Sequence, residues 1–358
     1  MKAIGKILVK PEQVKPSFSG WSVAGVFNPA AARMLDGRIV LLARVAERPP
    51  AAKSGKFRCP EIVKAQGYRV RCNEFAVAEV RSKNKACIRL WDKRLMLTTL
   101  SHFRRIVLSK DGFEVKEIAG KPSFTGTAEE GQYGVEDPRI TKIGGGWAMT
   151  YVSVSINEGV STSLALSKDL QNWKRQGIIF SQQNKDAVIF PEKVAGKFVA
   201  LHRPEGFFGG RKPSIWVSYS NDLVFWGREK SILYCREQAW DSERIGAGTV
   251  PVKTKEGWLE IYHGVRKEGK KKIYSAGAVL LDLHNPEKVL ARSPKKEPLF
   301  EPKQGFERRG FTGNVVFPTG AVESGNGKDL LVFYGAADRV VAVKKLDLKG
   351  VLNGLEWH

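Results

Sequence analysis

The sequence predicts an all-β protein, most simply a five-bladed β-propeller built as one unit over residues 1–358. Three observations lead there. Five short apolar runs each follow a turn, a Ser-x-Asp motif recurs at a spacing of a little over fifty residues, and no long segment carries the 3.6-residue period of an amphipathic helix.

The apolar runs are Gly37 to Arg44, Gly145 to Val152, Gly196 to His202, Gly257 to His263 and Lys328 to Tyr334. Each has strand length, is rich in β-branched and aromatic residues, and is preceded by a turn, four of them bearing glycine. The recurring motif stands at Ser109-Lys-Asp111, Ser167-Lys-Asp169 and Ser220-Asn-Asp222, with an aromatic residue a few positions on in each case. A Ser/Asp turn bonds its own backbone, and the aromatic packs beneath it. A repeat of this length fits four-stranded modules, and five modules fit 358 residues. A two-sheet sandwich is the competing arrangement. Residues 49–73, rich in Lys, Arg, Pro and Gly and poor in alternation, read as a basic loop insertion between strands.

Lys and Arg number 59 against 37 Asp and Glu, a formal charge of +22. That favours anionic partners such as phosphate, although scattered surface lysine looks the same. A Lys/Arg cluster falls at 266–272. No nucleic-acid-binding motif accompanies the charge, so nucleic acid is not the expected partner. The four cysteines lack CxxC or finger spacing, which argues against a zinc site and fits reduced thiols. The N-terminus has no sustained apolar stretch, and no run approaches the roughly 20 apolar residues of a spanning helix. The expectation is a cytoplasmic protein without a membrane partner, its oligomeric state left open and a homo-oligomer allowed.

The segment richest in chemistry is Gly134-Val-Glu-Asp-Pro-Arg-Ile140. Glu136 and Asp137 are adjacent carboxylates in extended chain, where neighbours point to opposite faces, so they should differ in role. One faces a pocket and the other is held by Arg139; an Asp-Pro turn capped by an ion pair is the plain alternative. Further polar residues flank strands at Phe27-Asn28-Pro29, Phe190-Pro-Glu-Lys193, His202-Arg203-Pro204 and Tyr334-Gly-Ala-Ala-Asp338. There is no P-loop, no dinucleotide fingerprint, no G-x-S-x-G elbow and no HExxH, which removes weight from nucleotide cleavage, serine-triad hydrolysis and zinc proteolysis.

Taken together, Val135-Glu-Asp-Pro-Arg-Ile140, Ile189-Phe-Pro-Glu-Lys193, Leu201-His-Arg-Pro204, Ile245-Gly-Ala-Gly248, Gly257 to Gly264, Gly277 to Leu283 and Tyr334 to Asp338 resemble glycoside hydrolase family 130. The resemblance runs from about Phe27 to Val343. It implies a five-bladed propeller enzyme that carries out inverting, reversible phosphorolysis of β-mannosides to α-D-mannose 1-phosphate, a hexosyltransferase-type reaction. The family position of the acid is Asp137, whose proton travels through a sugar hydroxyl. The implied mannoside contacts are Asn28, Arg44, Glu136, Arg139 and Asp338. The implied phosphate contacts are Lys193, His202, Arg203, Tyr274 and Asn157. Partners are a β-linked manno-oligosaccharide and inorganic phosphate as co-substrate, with no cofactor and no metal. An inverting hydrolase needs a base as well as an acid, whereas phosphate is already a nucleophile and needs a cationic cradle. The run Arg44-Val-Ala-Glu-Arg-Pro49 resembles members acting on β-1,2-mannosides. Two alternatives stand beside this reading. One is a hydrolase or mannosyltransferase on the same fold, its second carboxylate drawn from Glu192, Glu205, Asp241 or Glu243. The other is a non-catalytic carbohydrate- or nucleic-acid-binding propeller.

Overall fold

Each of the five turn-then-apolar runs becomes the second strand of an antiparallel sheet. The computed structural model describes residues 5–64, 67–206 and 210–358, so Ala65 and Gln66 of the expected insertion, and the first four residues of the N-terminal segment read above, lie outside them. The described residues form five sheets of four or more strands and two smaller ones.

The first sheet contains Ser22–Arg33, Ile39–Arg48, Leu100–Leu108 and Val115–Ile118. The second runs in chain order through Val135–Ile143, Gly146–Ser155, Gly159–Ser167 and Lys174–Phe180. The third does the same with Asn184–Ile189, Phe198–Pro204, Ile215–Ser220 and Trp226–Leu233. The fourth has six strands centred on the long Trp258–Glu268 and Lys271–Leu281 hairpin and opens with Arg244–Gly246. The fifth takes Val316–Glu323, Asp329–Ala336 and Val340–Asp347, and the N-terminal strand Lys6–Val9 completes it by pairing with Val340–Asp347. The N-terminal strand is therefore sewn into a sheet built from residues over 300 positions later, whereas Glu356–Trp357 pairs with Val289–Arg292 in the fourth sheet.

The Ser-x-Asp turns join the third and fourth strands of the first three sheets. Asp169 accepts from the amides of Gln171 and Asn172 (2.9 and 2.8 Å), and Asp222 does the same for Val224 and Phe225 (both 2.9 Å). The expected aromatic follows: the Trp226 indole donates to Leu223 O at 2.7 Å.

Apolar residues alternate along the strands, so both faces of each sheet find partners. Five buried clusters result. One joins the first and second sheets (Leu42, Phe103, Met149, Tyr151), one the second and third (Leu164, Phe180, Ile189), and one the third and fourth (Leu201, Val217, Trp258, Tyr262). The fourth and fifth sheets share Ile261, Val332 and Tyr334, and the fifth and first share Phe333, Val341, Ile39 and Leu41.

The basic insertion differs from its reading as a loop. It lies between the second and third strands of the first sheet and contains a hairpin, Lys56–Ile62 with Val70–Ala76. A three-stranded sheet, Val80–Lys83, Cys87–Leu90 and Leu95–Leu97, follows. The hairpin escapes an apolar-alternation reading because cross-strand ion pairs hold it. Arg58 lies opposite Glu74 and Glu61 opposite Arg71, at 2.6 and 2.5 Å. Cys59, Phe75, Ile88 and Met96 give the insertion a small core of its own against Tyr133.

Candidate active site

Four of the opening strands share a defect. The ladder slips between Phe27 and Ala30, between Glu136 and Arg139, between Lys185 and Val188, and between Pro318 and Gly320. At the first three slips stand Asn28, Asp137 and Asp186, with φ of 46°, 48° and 55°. An extra residue in a strand bends it and turns a side chain out of the regular alternation. A left-handed non-glycine backbone costs roughly 1–3 kcal/mol and persists where the surroundings fix it. Asn and Asp tolerate it best.

These bulges meet. Asn28 Nδ2 donates to Asp137 Oδ1 at 2.8 Å, although 109 residues separate them. Gly335 must lack a side chain for this, since a Cβ there would lie 1.9 Å from Asn28 Oδ1. Arg44 reaches in from the second strand of the first sheet. It donates to Asp137 Oδ1 at 3.1 Å, to Glu136 Oε1 at 2.6 Å and to Ser101 Oγ at 3.0 Å, above the Phe27 ring. Glu136 and Asp137 thus share one guanidinium, and the expectation of opposite faces fails because the bulge at Asp137 interrupts the alternation. A cleft opens here, lined by Phe27, Arg44, Glu136, Phe311 and Asp338 with Ala86, Leu97 and Thr99 from the insertion and its return. It meets a second hollow at Ala24 and Phe311, which leads outward to Arg48, Lys85 and Arg339.

Beside Asp137 lies a second charged group. Arg203 is 1% exposed and pairs with Asp186 at 3.0 Å and Glu205 at 2.6 Å. Its Nε and Nη1 have no partner among the described residues. His263 approaches Asp186 at 3.6 Å, and the Tyr274 ring is centred 6.4 Å from that of His263. Burial pushes His263 down to about 3, so the imidazole is neutral. Lys185, half-buried, acts on Asp137, Asp186 and Asp338 alike.

The carboxyls divide. Burial raises Asp137, but Arg44, Lys185, Arg139 and the Asn28 amide outweigh it and hold the carboxyl below its ordinary range. Asp186 is driven far lower, with Arg203, His263, Lys185 and Arg139 overcoming its burial. Asp338 moves the other way: burial raises it, the adjoining Asp137 adds to that, and Thr312 and Arg44 offset only part.

Several expected residues stand elsewhere. Arg139 is buried behind the site and spends its donors on the protein: Asp137 O at 2.6 Å, Gly248 O at 3.1 Å, Ala247 O at 3.3 Å and Asp186 Oδ1 at 3.5 Å. It is a backbone pin rather than a mannoside contact. Lys193 lies on the turn joining Asn184–Ile189 to Phe198–Pro204, exposed, with its ammonium 4.5 Å from the Phe198 ring centre. Arg203 is at the other end of that hairpin, roughly 17 Å away at about 3.3 Å per strand residue. Lys193 is therefore no part of the anion cradle. His202 is fully buried, its ring stacked on Phe180 (4.2 Å) and its Nδ1 2.9 Å from Asn184 Nδ2, with Nε2 unpartnered. Asn157 is exposed on the turn after Gly146–Ser155, at the end of the second sheet that carries Glu136.

Lys185, Asp186 and His263 escaped the sequence reading. One signal was present: Lys185-Asp-Ala187 carries a polar residue and then a small or cyclic one at its slip, as Glu136-Asp-Pro138 and Phe27-Asn-Pro29 do at theirs. Among the described residues no group of three or more His, Cys, Asp or Glu is arranged to hold a metal ion, and no helix is long and apolar enough to cross a membrane.

The geometry sets the Asp137 carboxyl, held by Asn28 and Arg44, one step through Arg139 and Asp186 from the buried Arg203 guanidinium, two of whose nitrogens have no partner among the described residues. Known proteins resemble the chain throughout. A family profile described as beta-1,4-mannooligosaccharide phosphorylase matches residues 98–356. A beta-1,2-mannobiose phosphorylase of Listeria innocua is 38% identical over 98% of this chain and 96% of its own. A 1,2-beta-oligomannan phosphorylase of Thermoanaerobacter is 35% identical over 96% of each. The solved structure of the Listeria enzyme with beta-1,2-mannobiose superposes with a TM-score of 0.90, at 35% identity and 99% coverage of both chains. The chain belongs to glycoside hydrolase family 130.

Proposed function

We propose that this protein is an inverting phosphorylase of β-1,2-linked mannosides, with inorganic phosphate as co-substrate and Asp137 as general acid. The proposal includes a five-bladed propeller, in which the five larger sheets are the blades of one unit over residues 1–358 and the insertion is an appendage to the first. A cytoplasmic setting goes with it, favoured by four unpaired cysteines. The observation that carries the function is that Lys185 acts on both Asp137 and Asp186, and that Arg139 ties the Asp137 backbone to Asp186, whose partner Arg203 keeps two guanidinium nitrogens without a partner among the described residues.

In this reading a phosphate oxygen bonds to the anomeric carbon while the glycosidic C–O bond breaks on the opposite face. The proton of Asp137 reaches the departing oxygen through a sugar hydroxyl. The depressed state of Asp137 in the ligand-free site is consistent with this order of events. Lys185 is among the cations that depress it, and an entering phosphate anion offsets that charge, which favours the protonated carboxyl an acid needs. Asp338, whose carboxyl burial raises, lines the cleft beside Arg44 and Glu136 and contacts the mannoside. Arg203, Lys185 and Tyr274 form the phosphate side, with His202 and Asn157 at its margin. The outward continuation of the cleft past Phe311 accommodates the rest of a manno-oligosaccharide.

A hydrolase would need a second carboxylate free to activate water. Asp241 is locked by Arg236, Arg292 and Tyr262, Glu243 pairs with Lys212 and Lys267, and Glu192 pairs with Lys253 on the distant turn. Glu205 remains, tied to Arg203 and Arg244. That distribution favours the phosphorylase.

Lys185→Ala should raise the KM for phosphate by about 10- to 100-fold, the size of one lost charge-assisted hydrogen bond. Lys193→Ala should leave it unchanged; the reverse pattern in initial-rate kinetics would move the cradle to the far turn. Linkage is tested by proton NMR of the anomeric product. β-1,2-Mannobiose plus phosphate should give α-mannose 1-phosphate at least about tenfold faster than β-1,4-mannobiose does. A preference for the β-1,4 substrate would reassign the linkage.

A further inference from the structure

Glu260 interrupts an apolar strand face. It lies on Trp258–Glu268 between Trp258 and Tyr262, both part of the core shared by the third and fourth sheets, and it is fully buried. A carboxyl in such a place costs free energy unless it does something specific. Its Oε1 accepts from the Gly248 amide at 2.7 Å. Gly248 is wedged so tightly that a Cβ would stand 2.3 Å from Ile261 O and 2.9 Å from Pro318 O. The carbonyl of the same residue receives Arg139 Nε at 3.1 Å, and Ala247 O receives Arg139 Nη2 at 3.3 Å. Arg139 Nη1 then donates to the carbonyl of Asp137 at 2.6 Å. That carbonyl belongs to the left-handed residue whose conformation aims the Asp137 carboxyl at Asn28 and Arg44.

We propose that Glu260 is a positioning residue for Asp137, acting through the Gly248 backbone and Arg139; this rests on the reading of Asp137 as the acid. It touches neither substrate nor phosphate in this scheme. Its part is to fix the Ala247-Gly248 segment, so that Arg139 is aimed at the Asp137 bulge rather than at a neighbouring carboxylate.

The arrangement works with a neutral carboxyl. Burial pushes Glu260 up to about 8; the Gly248 amide and Arg139 of the second sheet oppose the rise, and Asp186 of the third sheet adds to it. A protonated Glu260 accepts from Gly248 without competing with Asp186 and the Asp137 carbonyl for Arg139. An ionised Glu260 would draw the guanidinium toward itself and slacken its grip on the bulge.

The test compares wild type, Glu260→Ala and Glu260→Gln. Initial rates with β-1,2-mannobiose and phosphate are measured from pH 5.5 to 9.5, together with thermal unfolding over the same range. Glu260→Ala should lower kcat about 10²-fold, the cost of a misplaced catalytic group, with KM for both substrates changed less than about threefold. Glu260→Gln keeps the acceptor and the neutral charge. It should restore kcat to within about threefold of wild type at pH 6–7 and abolish the alkaline fall in kcat centred near pH 8. The stability arm has a definite sign. The folded carboxyl keeps its proton up to about 8 while an unfolded one loses it near 4.5, so wild-type stability declines between those values. Glu260→Gln lacks that decline, and its unfolding midpoint gains on wild type as pH rises.

Glu260→Gln as deficient as Glu260→Ala at every pH, or an unaltered alkaline limb, would overturn the proposal. If Glu260→Ala does not fold, the Glu260→Gln profiles decide alone. A wild type that turns over without phosphate would refute the phosphorylase reading, and an active Asp137→Asn the reading of Asp137; in either case the unfolding arm would still report whether Glu260 holds its proton.

Discussion

Asp137→Asn should lower kcat by about 10³-fold, within the range general acid catalysis supplies, while the protein folds normally. The two side chains have nearly the same volume. The amide oxygen still accepts from Asn28 and Arg44, so the local contacts at 2.8 and 3.1 Å survive in outline. What disappears is the transferable proton. Because Arg44 also holds Glu136 at 2.6 Å, loss of the Asp137 charge leaves the guanidinium partnered and not stranded. The loss should therefore fall on kcat with little change in KM, the pattern of an interaction made only in the transition state. Asp338→Asn serves as the control. If Asp338 holds the mannoside, its variant weakens substrate binding more than turnover. Should Asp338→Asn abolish turnover and Asp137→Asn spare it, the raised carboxyl would be the acid and the roles would exchange.

Asp186→Ala is expected to be the most damaging single truncation in the site for stability, at about 3–5 kcal/mol by chemical denaturation. Asp186 is fully buried, paired with Arg203 at 3.0 Å and 3.5 Å from Arg139, with His263 at 3.6 Å. Its removal leaves buried cationic groups facing one another without their shared counter-charge. The same pairing fixes a pH dependence. Asp186 ionises far below its unfolded value of about 3.8, so the stability it contributes is complete above that value and is lost progressively as pH falls below it. An Asp186→Ala protein should lack this part of the acid limb, and a loss of less than about 1 kcal/mol at pH 7 would mean that the cluster relaxes or hydrates when its anion is removed.

Much of the fold was legible because it is local. Gly37, Gly196 and Gly257 adopt positive φ at the turns that start second strands, and Gly144 does so beside Gly145. The Ser-x-Asp motif was readable for the same reason, since it bonds amides two and three residues on. Packing of the N-terminal Lys6–Val9 onto Val340–Asp347 was not legible, because a four-residue strand has no signal until a distant edge accepts it.

The site was legible to the extent that its residues occur in distinctive strings. Asn28, Arg44, Glu136, Asp137 and Asp338, drawn from separate strings, stand together in the structure, with Arg203 on the neighbouring Asp186. The errors have a common cause, which is direction. The resemblance implied Lys193 as a phosphate contact, but it stands at the end of the hairpin remote from Arg203, and Lys185 at the near end was passed over. Alternation set Glu136 and Asp137 on opposite faces, and the bulge brought both to Arg44. Arg139 was a mannoside contact by the resemblance, whereas its side chain runs behind the site to Gly248. Bulges and hairpin polarity are decided by tertiary packing, and a single sequence states them only where a Pro or Ala after the polar residue marks the slip.

The phosphate requirement is the most direct test of the account. Purified protein with β-1,2-mannobiose should release mannose 1-phosphate in proportion to added inorganic phosphate, with negligible free mannose beyond the stoichiometric acceptor and no turnover when phosphate is omitted. Equal release of two mannose molecules per disaccharide with and without phosphate would contradict it, and Glu205 would become the first candidate for a water-activating base.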